Sequence, residues 1–259
     1  MRASLGAVPL LLMAASSLAT AADWATLRGR IVYEGTPPVP KRVKVTKDIE
    51  VCGKYDLVDE SLIVNTQKRG VKDVIIRLSL GRNESIDVHD SYKKDEEGDV
   101  LLDNKCCRFD PHVAVMRTTQ KLVLHNSDPK GDTIKIDPRR NTPINITLIY
   151  NDRYVQAFPN VERMPVKVSC AIHPWELGWL VVSDHPYVAV TDKDGKFEIK
   201  NVPAGTRSFM FWQERAGYLS EVYRKGKPES WRRGTKEFQL KPGDNDLGEI
   251  VVKPGLFEH

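Results

Sequence analysis

The stretch YVAVTDKDGKFEIKNVPAGTRSFMFW, residues 187–212, decides the fold class. A short run of small and branched side chains enters Asp192-Lys193-Asp194-Gly195, residues 196–199 alternate polar and apolar, and Val202-Pro203-Ala204-Gly205 turns the chain into a third apolar run. Asp-x-Asp-Gly and Pro-x-Gly supply the positive φ and tight turns that join antiparallel strands, so the segment reads as a β-meander. The acidic turn lacks the later oxygen ligands and bidentate glutamate of a calcium loop, which leaves it a hairpin turn.

The same grammar extends outward. Short runs rich in Val and Ile, bounded by Gly, Pro, Asn and Asp, occur at 27–33, 41–45, 71–78, 113–116, 121–125, 144–150, 165–170, 179–183, 236–240 and 246–252. No segment sustains a 3.6-residue period, so the chain is expected to be all-β, with helix confined to brief pieces near 56–61 or 228–232.

At the N-terminus a cation at Arg2, an apolar run over 5–15 and the small-x-small set Ala19-Thr20-Ala21 read as a signal peptide over residues 1–21. The protein is therefore expected to be periplasmic or secreted, with no membrane insertion after signal cleavage, because no later run approaches the roughly 20 apolar residues of a membrane-crossing helix. Its 39 basic and 35 acidic residues nearly balance at +4, and no basic stripe interleaved with aromatics points to nucleic acid. The charged run at 90–99 reads as a solvated loop. Four cysteines in an exported chain permit two disulfides in three connectivities, and the adjacent Cys106 and Cys107 would rarely bond each other.

The loop VSCAIHPWELGWLVV, residues 168–182, carries the chemistry. Val166, Val168 and Cys170 share one strand face, Lys167 and Ser169 the other, so the thiol points inward. An inward sulfur three residues before His173 suits a soft metal, copper above all. It suits nucleophilic catalysis less, because a thiol and its base need a third orienting group, and Pro174 follows at once. With no other catalytic motif in the chain, no enzymatic function is expected. His112 and His185 sit beside prolines in turn contexts and read as structural imidazoles, whereas parity puts His125 on the strand face opposite Leu122 and Leu124.

Residues 186–253, with their TDKDGKFEIKNVPAG hairpin, resemble the carboxypeptidase regulatory-like domains, which are transthyretin-like sandwiches. LRGRIVYEGTPPVPKRVKV, residues 27–45, looks like the first strands of the same kind of domain. The chain from Trp24 to about Val252 resembles a bacterial exported group in which a cupredoxin-like domain precedes such a domain, its most specific piece being the C-x-x-H-P-W loop. That resemblance implies two β-sandwiches, a cupredoxin-like Greek key over 70–184 and a transthyretin-like sandwich over 185–259, with the N-terminal strands of 22–69 pairing with the latter. It implies a metal set of a loop His after NSD, then Cys, His and Met. Cys170 and His173 match, while Asp132 and Glu176 stand where the loop His and the Met belong. It also implies a disulfide between Cys52, in the CG motif, and Cys107, in the CxFxPH pattern; Cys106 is then an extra residue to which Cys170 is able to bond instead of to a metal.

Hard carboxylate oxygens do not make a blue-copper centre. Three accounts of the loop stay open: a metal-free remnant, a non-blue copper or zinc site through Cys170, His173, Asp132 and Glu176, and an electron-transfer centre. Trp175 and Trp179 are expected to pack over the loop. A further reading is a carbohydrate- or protein-binding module with Trp212, Trp231 and Tyr218 as an aromatic platform; the partner is an unspecified protein or glycan.

Overall fold

Alternation decides the opening strand: in Trp24–Tyr33 the side chains of Ala25, Leu27 and Ile31 are buried, with partly or fully exposed residues between them. In the computed structural model, residues 23–81 and 84–258 are described; the expected signal peptide, residues 1–21, lies outside them. Trp24–Tyr33 pairs antiparallel with Lys196–Pro203 and parallel with Gly243–Val252, and the sheet continues through Glu221–Arg224 and Lys227–Ser230. A facing sheet runs Val188–Val190, Ile75–Ser79, Gly205–Gln213, Gly217–Tyr218, with Thr235–Leu240 also on Gly205–Gln213. Between the sheets lies an apolar core that includes Leu27, Ile31, Phe209, Phe211, Trp231 and Phe238.

A second sandwich has one sheet in the order Val113–Arg117, Leu177–Ser183, Val166–Cys170, Asp132–Ile136, Ile144–Leu148. Its other sheet runs Phe109–Asp110, Asp99–Asn104, Lys121–Asn126, Arg153–Ala157, and Leu102, Leu122, Leu124, Ile134, Val168 and Leu180 fill the space between. The two sandwiches meet through a smaller apolar cluster in which Ile75, Met210 and Trp212 of the first pack with Val113 and Val181 of the second.

The all-β expectation agrees with this architecture, and several local expectations do not. Ile75–Ser79, expected from the sequence in the cupredoxin-like domain over 70–184, pairs with Gly205–Gln213 in the first sandwich, because its partner strand is more than a hundred residues away and leaves no local trace. Residues 41–45 form only an isolated bridge from Arg42 to Val58. Helix appears as Ile49–Cys52 and as short 3-10 turns at Asp90–Asp95, Arg232–Gly234 and Pro254–Phe257, whereas Lys227–Ser230 is a strand. The aromatic platform does not form: Trp212 and Trp231 are buried, Trp212 against Trp179 with ring centroids 4.6 Å apart, because the second sandwich and the core cover the faces that the sequence leaves unassigned.

Candidate functional site

Cys170 ends the strand Val166–Cys170 with its thiol inside, continuing the buried row of Val166 and Val168. Its backbone N–H donates to the Glu176 carbonyl at 3.2 Å and the Glu176 N–H donates to the His173 carbonyl at 2.9 Å, so residues 171–176 form a tight loop that returns Glu176 beneath the thiol. Asp132 opens the neighbouring strand Asp132–Ile136, whose Ile134 is paired with Cys170. The structure thus brings together donor atoms of Asp132, Cys170, His173 and Glu176, all within 4.8 Å of one another and all buried.

A fifth side chain that the sequence reading missed lies among them. The Lys130 ammonium donates to Asp132 Oδ1 at 2.5 Å and Oδ2 at 2.7 Å and to Glu176 Oε1 at 3.2 Å, and lies 3.2 Å from His173 Nδ1. Asn126 directs the lysine inward: its side-chain amide donates to the Lys130 and Leu148 carbonyls at 2.6 and 3.0 Å, and its oxygen accepts from the Asp128 N–H at 3.0 Å, folding residues 127–131 back over the strand end. The sequence signal was faint, a lysine two residues before Asp132 in a polar loop, where long cations ordinarily face water.

His173 is held from both nitrogens. Nδ1 lies 2.6 Å from Asp132 Oδ1 and 3.5 Å from Cys170 Sγ, and Nε2 lies 2.6 Å from Asp48 Oδ2. Asp48 precedes the helix Ile49–Cys52 with left-handed backbone (φ 46°, ψ 44°), and that helix is anchored by the Cys52–Cys107 disulfide, whose Cα atoms are 5.6 Å apart. Cys106 and Cys170 are both free, so no bridge joins them. Asp128 secures the cysteine pair by accepting from the Cys106 and Cys107 N–H groups at 2.8 and 2.7 Å.

Charge follows from these contacts. Burial opposes the cationic form of His173, but hydrogen bonds to Asp132, Cys170 and Asp48 outweigh it and raise the imidazole to about 10. Burial likewise disfavours the Lys130 cation, yet the charges of Glu176 and Asp132 hold it above the ordinary lysine value. Burial, then the charge of Asp132, pushes Glu176 up to about 7, while Asp132 itself stays below its ordinary value through hydrogen bonds from His173 and Lys130 that overcome its burial. Asn104 donates to the remaining Glu176 oxygen at 2.9 Å.

The Lys130 ammonium occupies these donors: Asp132 and Glu176 oxygens accept from it and His173 is engaged at both nitrogens, so a copper or zinc ion held by the four side chains would have to displace the ammonium and the imidazole protons. The second donor group, Cys52, Cys107 and Glu176, holds two sulfurs already joined to each other.

His112, His125 and His185 lie apart from the cluster. His125 is bound to Asp103 at 3.0 Å. His112 Nε2 lies 2.8 Å from Glu214 across the sandwich junction. His185 is buried against the Leu78 carbonyl at 3.1 Å, and desolvation lowers it to about 4, so it is neutral. Trp175 tilts over His173 with ring centroids 5.2 Å apart.

No protein-family model matches this chain, and no curated protein does. Among solved structures it is similar to the purple cupredoxin from Nitrosopumilus maritimus, with 20% identity over 33% of this chain and 99% of that one at a TM-score of 0.28. A reduced amicyanin mutant shows 13% identity over 42% of this chain and 98% of that chain, with a TM-score of 0.30. The copper-containing nitrite reductase from Thermus scotoductus shows 21% identity at a TM-score of 0.29 over 32% of this chain, and the match spans only 22% of the reductase's length.

Proposed function

We propose that this is an exported, non-enzymatic, cupredoxin-like protein whose degenerate copper pocket carries its own cation in the lysine side chain, and whose role is binding or structural. One observation carries the reading: the Lys130 ammonium, 4% exposed, bridges Asp132 and Glu176 and lies 3.2 Å from His173, where a shared metal would have to sit. An ammonium satisfies buried carboxylates as a metal ion does, by charge and by several short contacts to oxygen, but it has no second oxidation state and accepts no ligand. The same cluster argues against thiol catalysis, because Cys170 is buried away from any substrate and both nitrogens of the imidazole beside it are engaged by carboxylates.

The test is a titration of the purified protein with Cu(II) and with Zn(II), followed by visible absorption and thermal melting, on the parent and on Lys130→Ala. The parent is expected to show no sulfur-to-copper absorption and no stabilisation by either ion. Lys130→Ala, with His173 and both carboxylates released from the ammonium, is expected to gain zinc-dependent stabilisation that Cys170→Ala removes. An intense visible band in the copper-treated parent overturns the proposal in favour of a metal-binding or electron-transfer protein.

A further inference from the structure

At the junction of the sandwiches, away from the lysine cluster, lies a cleft of about 700 Å³ lined by Arg77, Arg140, Arg163 and Arg233, with Glu84 and Asp184 as its carboxylates. Among the described residues, four guanidiniums against two carboxylates leave two positive charges in excess within one concavity. The arginines come from separate parts of the fold: Arg77 from the strand Ile75–Ser79, Arg233 from the turn Arg232–Gly234, and Arg140 and Arg163 from loops of the second sandwich. Arg77 is fixed, donating to the Glu162 carbonyl at 2.7 Å and to the Arg163 carbonyl, and so ties the cleft floor across the junction. Arg140, Arg163 and Arg233 are exposed and, among the described residues, enter no ion pair. Arg233 also holds a left-handed backbone (φ 51°, ψ 41°), a conformation that a non-glycine residue keeps only where its surroundings impose it.

Unpaired like charges gathered around a concavity repel one another, and the arrangement is relieved by a ligand that brings the opposite charge. The planar guanidinium fork matches the oxygens of phosphate, sulfate and carboxylate, and a volume of this size holds a compact molecule rather than a polymer chain. We propose that this cleft binds a compact polyanion, a small molecule bearing several phosphate, sulfate or carboxylate groups. The inference goes beyond the lysine-filled pocket and does not depend on it.

Isothermal titration of the full-length protein with myo-inositol hexakisphosphate, sucrose octasulfate and trigalacturonate, at low and at high sodium chloride, separates the three acid groups. At least one is expected to bind with a stoichiometry of one and to weaken as salt rises. Arg163→Gln with Arg233→Gln is expected to lower that affinity about tenfold or more, with an unchanged melting temperature. Lys227→Gln with Lys241→Gln, which removes equal charge from exposed positions outside the cleft, is expected to leave it nearly unaltered. Absence of binding by all three probes overturns the proposal, and so does equal weakening by the two pairs of substitutions, which makes the attraction diffuse. Neither pair touches Lys130, Asp132, His173 or Glu176, so failure here leaves the metal titration to stand or fall by itself.

Discussion

The two sandwiches differ in what they bury at their centres. In the first, Phe209, Phe211, Trp231 and Phe238 pack ring against ring, with Phe211 and Trp231 centroids 4.8 Å apart, and the polar tip of Trp231 donates to Glu229 at 3.0 Å. In the second, the same alternation builds an apolar core over most of its length, but one end encloses Lys130, Asp132, His173 and Glu176. The difference teaches that one strand grammar supports two kinds of interior. An apolar centre depends on volume and is indifferent to pH, whereas a charged centre depends on every member keeping its partner.

Four measurements probe this contrast. Trp231→Ala is expected to have the largest effect, about 3–5 kcal/mol lost in urea unfolding through packing and the indole bond to Glu229, and equal at neutral and alkaline pH because Glu229, held below its ordinary value, is ionised at both. Lys130→Met is expected to cost about 3 kcal/mol, since it leaves the buried Asp132 and Glu176 to share the single cation of His173. Adding Asp132→Asn and Glu176→Gln should recover most of that loss; if it does not, the cost of Lys130→Met was steric rather than electrostatic.

The third concerns pH. His173 is raised from 6.5 to about 10, so its contribution to stability is complete below pH 6.5 and is lost as pH rises through about 10. Glu176, raised from 4.5 to about 7, acts in the same direction over a lower window: its contribution is present below pH 4.5 and gone above about 7. His185 works oppositely, because its value falls from 6.5 to about 4 and its contribution, present above pH 6.5, is lost as pH falls towards 4. The melting temperature is thus expected to decline on the alkaline side and His173→Gln to flatten that limb, whereas between about pH 4.5 and 6.5 the opposed shifts of Glu176 and His185 work against each other. A melting curve of His173→Gln that still declines between pH 7 and 10 would contradict the account of the cluster. Smallest of all, Arg28→Ala on the open face of the first sandwich removes contacts to Asp244 and Asp246, each at 3.4 Å, and is expected to cost less than about 1 kcal/mol.

Much of the second sandwich's site was legible in the sequence because strand parity is a local rule. Val166, Val168 and Cys170 had to share a face, and the turn after Cys170 had to bring residues 173 and 176 back near it. Lys130 was not legible, because a lysine in a polar loop reads as solvated, and its burial depends on Asn126 folding that loop, on Asp132 of the next strand and on Glu176 of a distant loop. Asp48 was equally hidden: it reaches His173 only because a short helix far upstream is carried there by the Cys52–Cys107 bond. The strand Asp99–Asn104 was missed because it follows a run of charge and is buried only in its last three residues.

By itself the sequence determined the all-β class, the hairpins of the C-terminal third and the inward thiol of Cys170, since turn chemistry and two-residue alternation act between neighbours. Only the tertiary structure decided which faces are covered, that Trp212 and Trp231 are buried rather than displayed, and that an ammonium lies among four ligand-type side chains. Those outcomes depend on strands and loops distant along the chain meeting in space, and whether a buried charge is tolerated is settled by the partners it meets there.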